Sequence, residues 1–146
     1  MNILALGDSY TAGTGVLLQA SWPWQLKTEL EKRGDKVSLQ VIAHNGWTTG
    51  ALLQAMAQRQ LNQNYDRVYI LIGVNDQFQG FDPEEYRSNL RQILTQAELR
   101  AKGQKKQVTV LSIPDYSVTP FGLGMEPKRI ASELTRFNQV LIEETH

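Results

Sequence analysis

Four short runs along the chain are almost wholly apolar and rich in Val, Ile and Leu: Ile3 to Leu6, Val37 to Ala43, Val68 to Ile72 and Val108 to Ile113. Most are continuous rather than alternating, which predicts strands covered on both faces. Between them apolar residues recur at helical spacing. Trp22, Leu26 and Leu30 stand four apart. Tyr86, Leu90, Ile93, Leu94, Ala97 and Ala101 follow a helical stripe, and Ile130, Leu134, Phe137 and Leu141 repeat it near the end. Asp82-Pro83-Glu84-Glu85 reads as an N-cap, a first-turn proline and a capping-box glutamate. Thr48 or Thr49 caps a helix expected over 49–60.

The order β-α-β-α-β-α-β-α implies right-handed crossovers and a parallel sheet with helices on both faces. The expected fold is a three-layer α/β/α sandwich forming one domain over 1–146. In such sheets, sites form beyond the carboxyl ends of the strands. That singles out the loops 7–15, 44–48, 73–81 and 114–125.

Charge narrows the function classes. Lys plus Arg is 15 and Asp plus Glu is 15, for a formal charge of zero. Nothing here resembles a basic footprint, so no nucleic-acid or membrane partner is expected. With no cysteine there is no disulfide, thiolate metal site or cysteine nucleophile. Two histidines, His44 and His146, speak against a polyhistidine metal centre, and no cofactor is implied. The apolar start Met1 to Leu6 lacks a basic flank and is too short for a signal peptide, so a cytoplasmic protein is expected.

The loop Gly7-Asp8-Ser9-Tyr10-Thr11-Ala12-Gly13-Thr14-Gly15 is glycine-rich but has neither the spacing of a dinucleotide loop nor the lysine of a Walker A loop. It also misses the nucleophile elbow G-x-S-x-G, because Thr11 stands at the second glycine. What remains is a serine straight after a strand. In the second loop, Asn45-Gly46 offers an unobstructed backbone N–H at a strand end, as an oxyanion donor requires. The third, Gly73-Val74-Asn75-Asp76, places an asparagine amide at a strand exit. Each also has a plain reading as a capping loop or an Asx-turn.

Taken together and in this order, the three blocks resemble those of the SGNH hydrolases, the GDSL lipase/esterase family. The resemblance implies the flavodoxin-like fold of that family and hydrolysis of a small-molecule carboxylic ester. It makes Ser9 the nucleophile, with the Ser9 N–H, the Gly46 N–H and the Asn75 amide forming the oxyanion hole. Asp76 is expected to bond loop backbone around the Ser9 turn. The family's last block, D-x-x-H on the far side of a fifth strand, is not found in these residues. The chain is therefore expected to be a C-terminally incomplete member with four of five strands, nearly inactive alone and prone to self-association through an open sheet edge. His146 in Glu143-x-x-His146, and His44 two residues before Gly46, are weak substitutes for the missing base. Trp47, Phe78, Phe81, Tyr116 and Phe121 fall in the strand-end loops as candidates for an acyl or aryl pocket, with Phe78 and Phe81 as its mobile wall. A non-catalytic binding module of the same fold and a nucleotide-binding flavodoxin-like domain are the alternatives.

Overall fold

The strand β1 (Asn2–Gly7) is buried from Ile3 onward and pairs on both sides. Its neighbours are β2 (Ser38–Ala43) and β3 (Arg67–Leu71), and β4 (Val108–Val110) pairs beyond β3. Every pair is parallel, in the order β2-β1-β3-β4, with Leu6 opposite Ile42 on one side and Ile70 on the other. The computed structural model describes residues 1–61 and 64–146.

Seven helices are described: α1 (Ser9–Ala12), α2 (Trp22–Lys32), α3 (Thr49–Gln58), α4 (Val74–Phe78), α5 (Pro83–Arg100), α6 (Pro120–Leu123) and α7 (Pro127–Thr145). The caps read from sequence are present. Thr48 Oγ1 accepts from the Ala51 N–H at 3.2 Å, and the Asp82 carboxylate accepts from the Glu84 N–H at 2.7 Å. On one face of the sheet Leu4, Leu6, Val68 and Ile70 pack with Leu52 and Met56 of α3 and Ile93 and Ala97 of α5. A second cluster joins α5 to α7, where the Tyr86 and Phe137 rings lie 4.9 Å apart. The opposite face belongs to α2. Its Trp22 meets Tyr69 edge-on at 6.1 Å, and Tyr69 alternates with Val68 and Ile70 along β3.

Two strand expectations change. The run Val37 to Ala43 alternates exposed and half-buried positions, because β2 is an edge strand and not a doubly covered one. The run Val108 to Ile113 keeps only three residues in the strand proper. The Leu111 N–H still donates to the Ile70 carbonyl at 2.8 Å. Beyond it Asn138 of α7 takes the place of a neighbouring strand. Its Oδ1 accepts the Ile113 N–H at 2.8 Å and its Nδ2 donates to the Ile113 carbonyl at 3.0 Å. The next residue, Pro114, has no N–H with which to extend a ladder. No helix among the described residues is long and apolar enough to cross a membrane.

Removing the side-chain amide in Asn138→Ala leaves both Ile113 groups unpartnered. The expected cost is about 1–3 kcal/mol, read as a lowered midpoint in thermal unfolding. The outer edge of β4 carries no strand among the described residues. Self-association through that edge is the expected behaviour of the chain, and a monodisperse monomer by light scattering would speak against it.

Candidate active site

The turn out of β1 is set by contact. A Cβ on Gly7 would lie 2.2 Å from Thr11 Oγ1 and 2.4 Å from the Leu71 carbonyl oxygen, so only glycine fits. Asp8 then caps α1. Its carboxylate accepts from the Tyr10 N–H at 3.0 Å, while its carbonyl accepts from Thr11 and Ala12 at 3.1 and 2.9 Å. Ser9 is thereby the first residue of a helix at the carboxyl end of a central strand. Its N–H has no acceptor within that helix.

After β2, the Trp47 N–H donates to the His44 carbonyl at 3.3 Å across a tight turn. Gly46 sits in the third position of that turn with φ +83°, the left-handed region glycine adopts without a steric cost. After β3, Gly73 has φ +131° and a Cβ there would meet Ile113 and Tyr86 at 2.7 Å. The segment read as an open loop over 73–81 instead begins with the short helix α4, with Asn75 and Asp76 in its first turn.

These two residues fasten the second loop to the third. Asn75 Nδ2 donates to the Trp47 carbonyl at 2.9 Å, which leaves its second amide hydrogen free of that bond. Asp76 is fully buried and accepts the Thr49 N–H at 3.0 and 3.3 Å, as well as the Thr49 hydroxyl. Asn89 Nδ2 donates to the same hydroxyl at 3.1 Å. The expected bonds from Asp76 to the Ser9 turn are thus replaced by bonds to the start of α3, because α4 points the carboxylate toward that helix end.

Ser9, Tyr10, Asn75, Phe78, Tyr116 and Phe121 line one cavity of about 360 Å³. Ser9 and Asn75 therefore meet, and Gly46 is tied to them through the Asn75 bond to its neighbour Trp47. Phe78 and Phe121 stand 6.1 Å apart, and Phe121 lies 6.2 Å from Tyr116. Tyr116 is held by its hydroxyl, which donates to Gln77 Oε1 at 2.7 Å. Gln77 in turn donates to Glu133 at 2.6 Å. Phe81 and Trp47 do not line the cavity, so the expected wall of Phe78 with Phe81 becomes one of Phe78 with Phe121.

Neither histidine lines the cavity. His44 is exposed, with Nδ1 2.9 Å from the Asn45 carbonyl and its ring against Trp47. His146 places Nδ1 2.8 Å from the Ile142 carbonyl, in a groove beside Val108 and Val110. Thr49, Gln77, Asn89 and Asn138 were not anticipated from sequence. Their partners lie 25 or more residues away, so no local spacing marks them.

Two carboxyls are buried beside the nucleophile turn. Burial pushes Asp8 up to about 6, and the charge of Asp76 adds to the rise. Asp8 Oδ2 and Thr11 Oγ1 have no hydrogen-bond partner among the described residues. Burial also raises Asp76, against the pull of its Thr49 bonds. A carboxyl raised from 3.8 to about 6 binds its proton more tightly in the folded chain than in the unfolded one. Its contribution to stability is complete below about pH 4 and is lost as the pH rises through about 6. Asp8→Asn keeps the cap without the charge. The variant should match the parent near pH 4 and exceed it by about 3 kcal/mol at pH 8. Unfolding midpoints of the two proteins across that range check the sign.

Residues 5–145 match the family described as GDSL-like lipase/acylhydrolase. The chain is 34% identical to an arylesterase of Vibrio mimicus over 93 residues, 64% of this chain and 46% of that protein. It is 32% identical to the Escherichia coli K12 protein named thioesterase 1/protease 1/lysophospholipase L1, over 63% of this chain and 43% of the relative. It thus spans under half the length of these curated relatives. Among solved structures it resembles AlinE4, an SGNH-hydrolase family esterase. The TM-score is 0.71 at 26% identity, covering 98% of this chain and 69% of that one. With a match that runs from β1 to the last turn of α7, the chain belongs to the GDSL-like lipase/acylhydrolase family.

Proposed function

We propose that the chain carries the nucleophile and oxyanion hole of a carboxylic-ester hydrolase. The observation behind this reading is that Ser9 and Asn75 line one cavity while the Asn75 amide is bonded to the Gly46–Trp47 turn. Ser9 Oγ attacks the ester carbonyl carbon. The developing oxyanion is met by the Ser9 N–H, the Gly46 N–H and the free hydrogen of the Asn75 amide. The bond to the alcohol then breaks, and water releases the acyl group from Ser9. The cavity between Phe78, Tyr116 and Phe121 takes the acyl or aryl part of the substrate. Relatives named arylesterase and thioesterase support the same class of reaction.

A serine hydroxyl needs a base to remove its proton. The described residues bring no histidine into the Ser9 cavity. Resemblance assigns that role to a D-x-x-H block, so the 146 residues by themselves are proposed to work only at a residual level. That level is about 10³–10⁴-fold over water, the part that oxyanion hole and binding retain without the base.

A fluorophosphonate should label Ser9, mapped by peptide mass. Labelling at Ser21, Ser112 or Ser117 would overturn the assignment. Asn75→Ala should slow the acylation step by about 10²–10³, the usual loss for one oxyanion donor. An effect confined to KM would reduce Asn75 to a loop clamp. His44→Ala and His146→Ala should each leave hydrolysis of p-nitrophenyl acetate unchanged. A large loss in either would identify that histidine as the base.

A further inference from the structure

The exposed large hydrophobics of this chain are not scattered. Among the described residues all but Met1, Leu99 and Ile142 lie in the segments that follow β1, β3 and β4, at the end of the sheet that carries Ser9. Val16, Leu17 and Leu18 form one ridge, and Leu17 is 79% exposed. Phe78 lies across the cavity. Val118, at 74%, and Phe121, Leu123 and Met125 form the opposite ridge. Single exposed leucines are ordinary, but ridges from three segments around one opening are not.

Charge is arranged the same way. Although 21% of the chain is charged, residues 9–26, 44–58 and 116–125 contain no Lys, Arg, Asp or Glu. The segment 72–81 contains one, Asp76, and it is fully buried. Asp115 and Glu126 only bracket the last ridge. The other end of the sheet is dense in charge: Arg33, Asp35 and Lys36 before β2, Asp66 and Arg67 at β3, and Lys102, Lys105 and Lys106 before β4. The molecule therefore has a charged pole and an uncharged, apolar-tipped pole, with Ser9 on the second.

We infer that this pole is a docking face for the surface of an aggregated, uncharged ester lipid, such as an emulsion droplet. Such a surface offers apolar area to Leu17, Val118 and Phe121 and demands no counter-charge. The zero net charge that speaks against an anionic membrane is silent on a neutral interface. Docking in this orientation brings the mouth of the Ser9 cavity against the ester and leaves the charged pole in water. The inference concerns adsorption alone. It stands or falls separately from the catalytic role of Ser9.

The test is flotation of the 146-residue protein with a triolein emulsion coated with phosphatidylcholine. The protein should partition to the droplets, equally in 50 and 500 mM NaCl. Leu17→Asp and Val118→Asp should each lower the partition coefficient at least tenfold, because each puts a charge on the face. Leu99→Asp, a substitution at a half-exposed site on α5, should not. Matching circular dichroism for all variants keeps the comparison free of folding effects. Fluorophosphonate labelling of Ser9, run in parallel, reports on the catalytic reading by itself. Absence of partition would overturn the inference, as would equal losses for all three variants. So would binding that needs phosphatidylserine and disappears in salt. Self-association that Leu17→Asp abolishes, without partition to droplets, would assign the face to a second copy of the chain instead.

Discussion

Burying the Asp76 carboxyl between the ends of β2 and β3 is the constraint on which the rest of the site depends. A carboxyl in the interior is costly unless its oxygens are bonded. Thr49 supplies its N–H and its hydroxyl, and Asn89 of α5 bonds that hydroxyl from the far side. The same short helix that aims Asp76 inward aims Asn75 at the Trp47 carbonyl. One helical turn thus fixes the second and third loops to each other. The distance between Gly46 and Asn75 follows from that clamp and not from either loop alone.

The nucleophile turn is built differently, by steric exclusion. Gly7 lets Thr11 and the Leu71 carbonyl close onto the backbone, and Asp8 caps the four-residue helix that follows. That closeness leaves Asp8 Oδ2 and Thr11 Oγ1 buried and unbonded. The cost appears as an acid raised to about 6, next to a second buried acid of the same sign. A cap placed in such surroundings holds Ser9 rigidly while drawing on the stability supplied by the core. Strain and unsatisfied groups of this sort collect where a site needs a fixed geometry.

Around the cavity, the aromatic wall depends on a relay through α7. Glu133 holds Gln77, Gln77 holds the Tyr116 hydroxyl, and Tyr116 lies beside Phe121. Asn138, one turn further along, holds Ile113 by both backbone groups. The last helix thus positions the segment after β4 without itself reaching the Ser9 cavity. Phe78 and Phe121, by contrast, remain more than half exposed, as a wall that meets an apolar ligand must be.

Apolar runs and helical stripes alone made the parallel α/β order legible, because strand and helix periods are local. Ser9, Gly46 and Asn75 were legible too, since each follows a strand end in a short block whose chemistry is carried by residue type. The strand Val108 to Ile113 was read too long: its last residues are as apolar as the first, but their partner is the Asn138 side chain 25 residues away. The doubly covered reading of Val37 to Ala43 failed because sequence does not say which strand is at the edge. The bonding of Asp76 to Thr49, the exchange of Phe81 for Phe121 and the gathering of apolar tips on one pole were decided by the tertiary structure. Each depends on which loops the sheet order β2-β1-β3-β4 sets side by side, and contacts made across 25 to 40 residues leave no period in the chain.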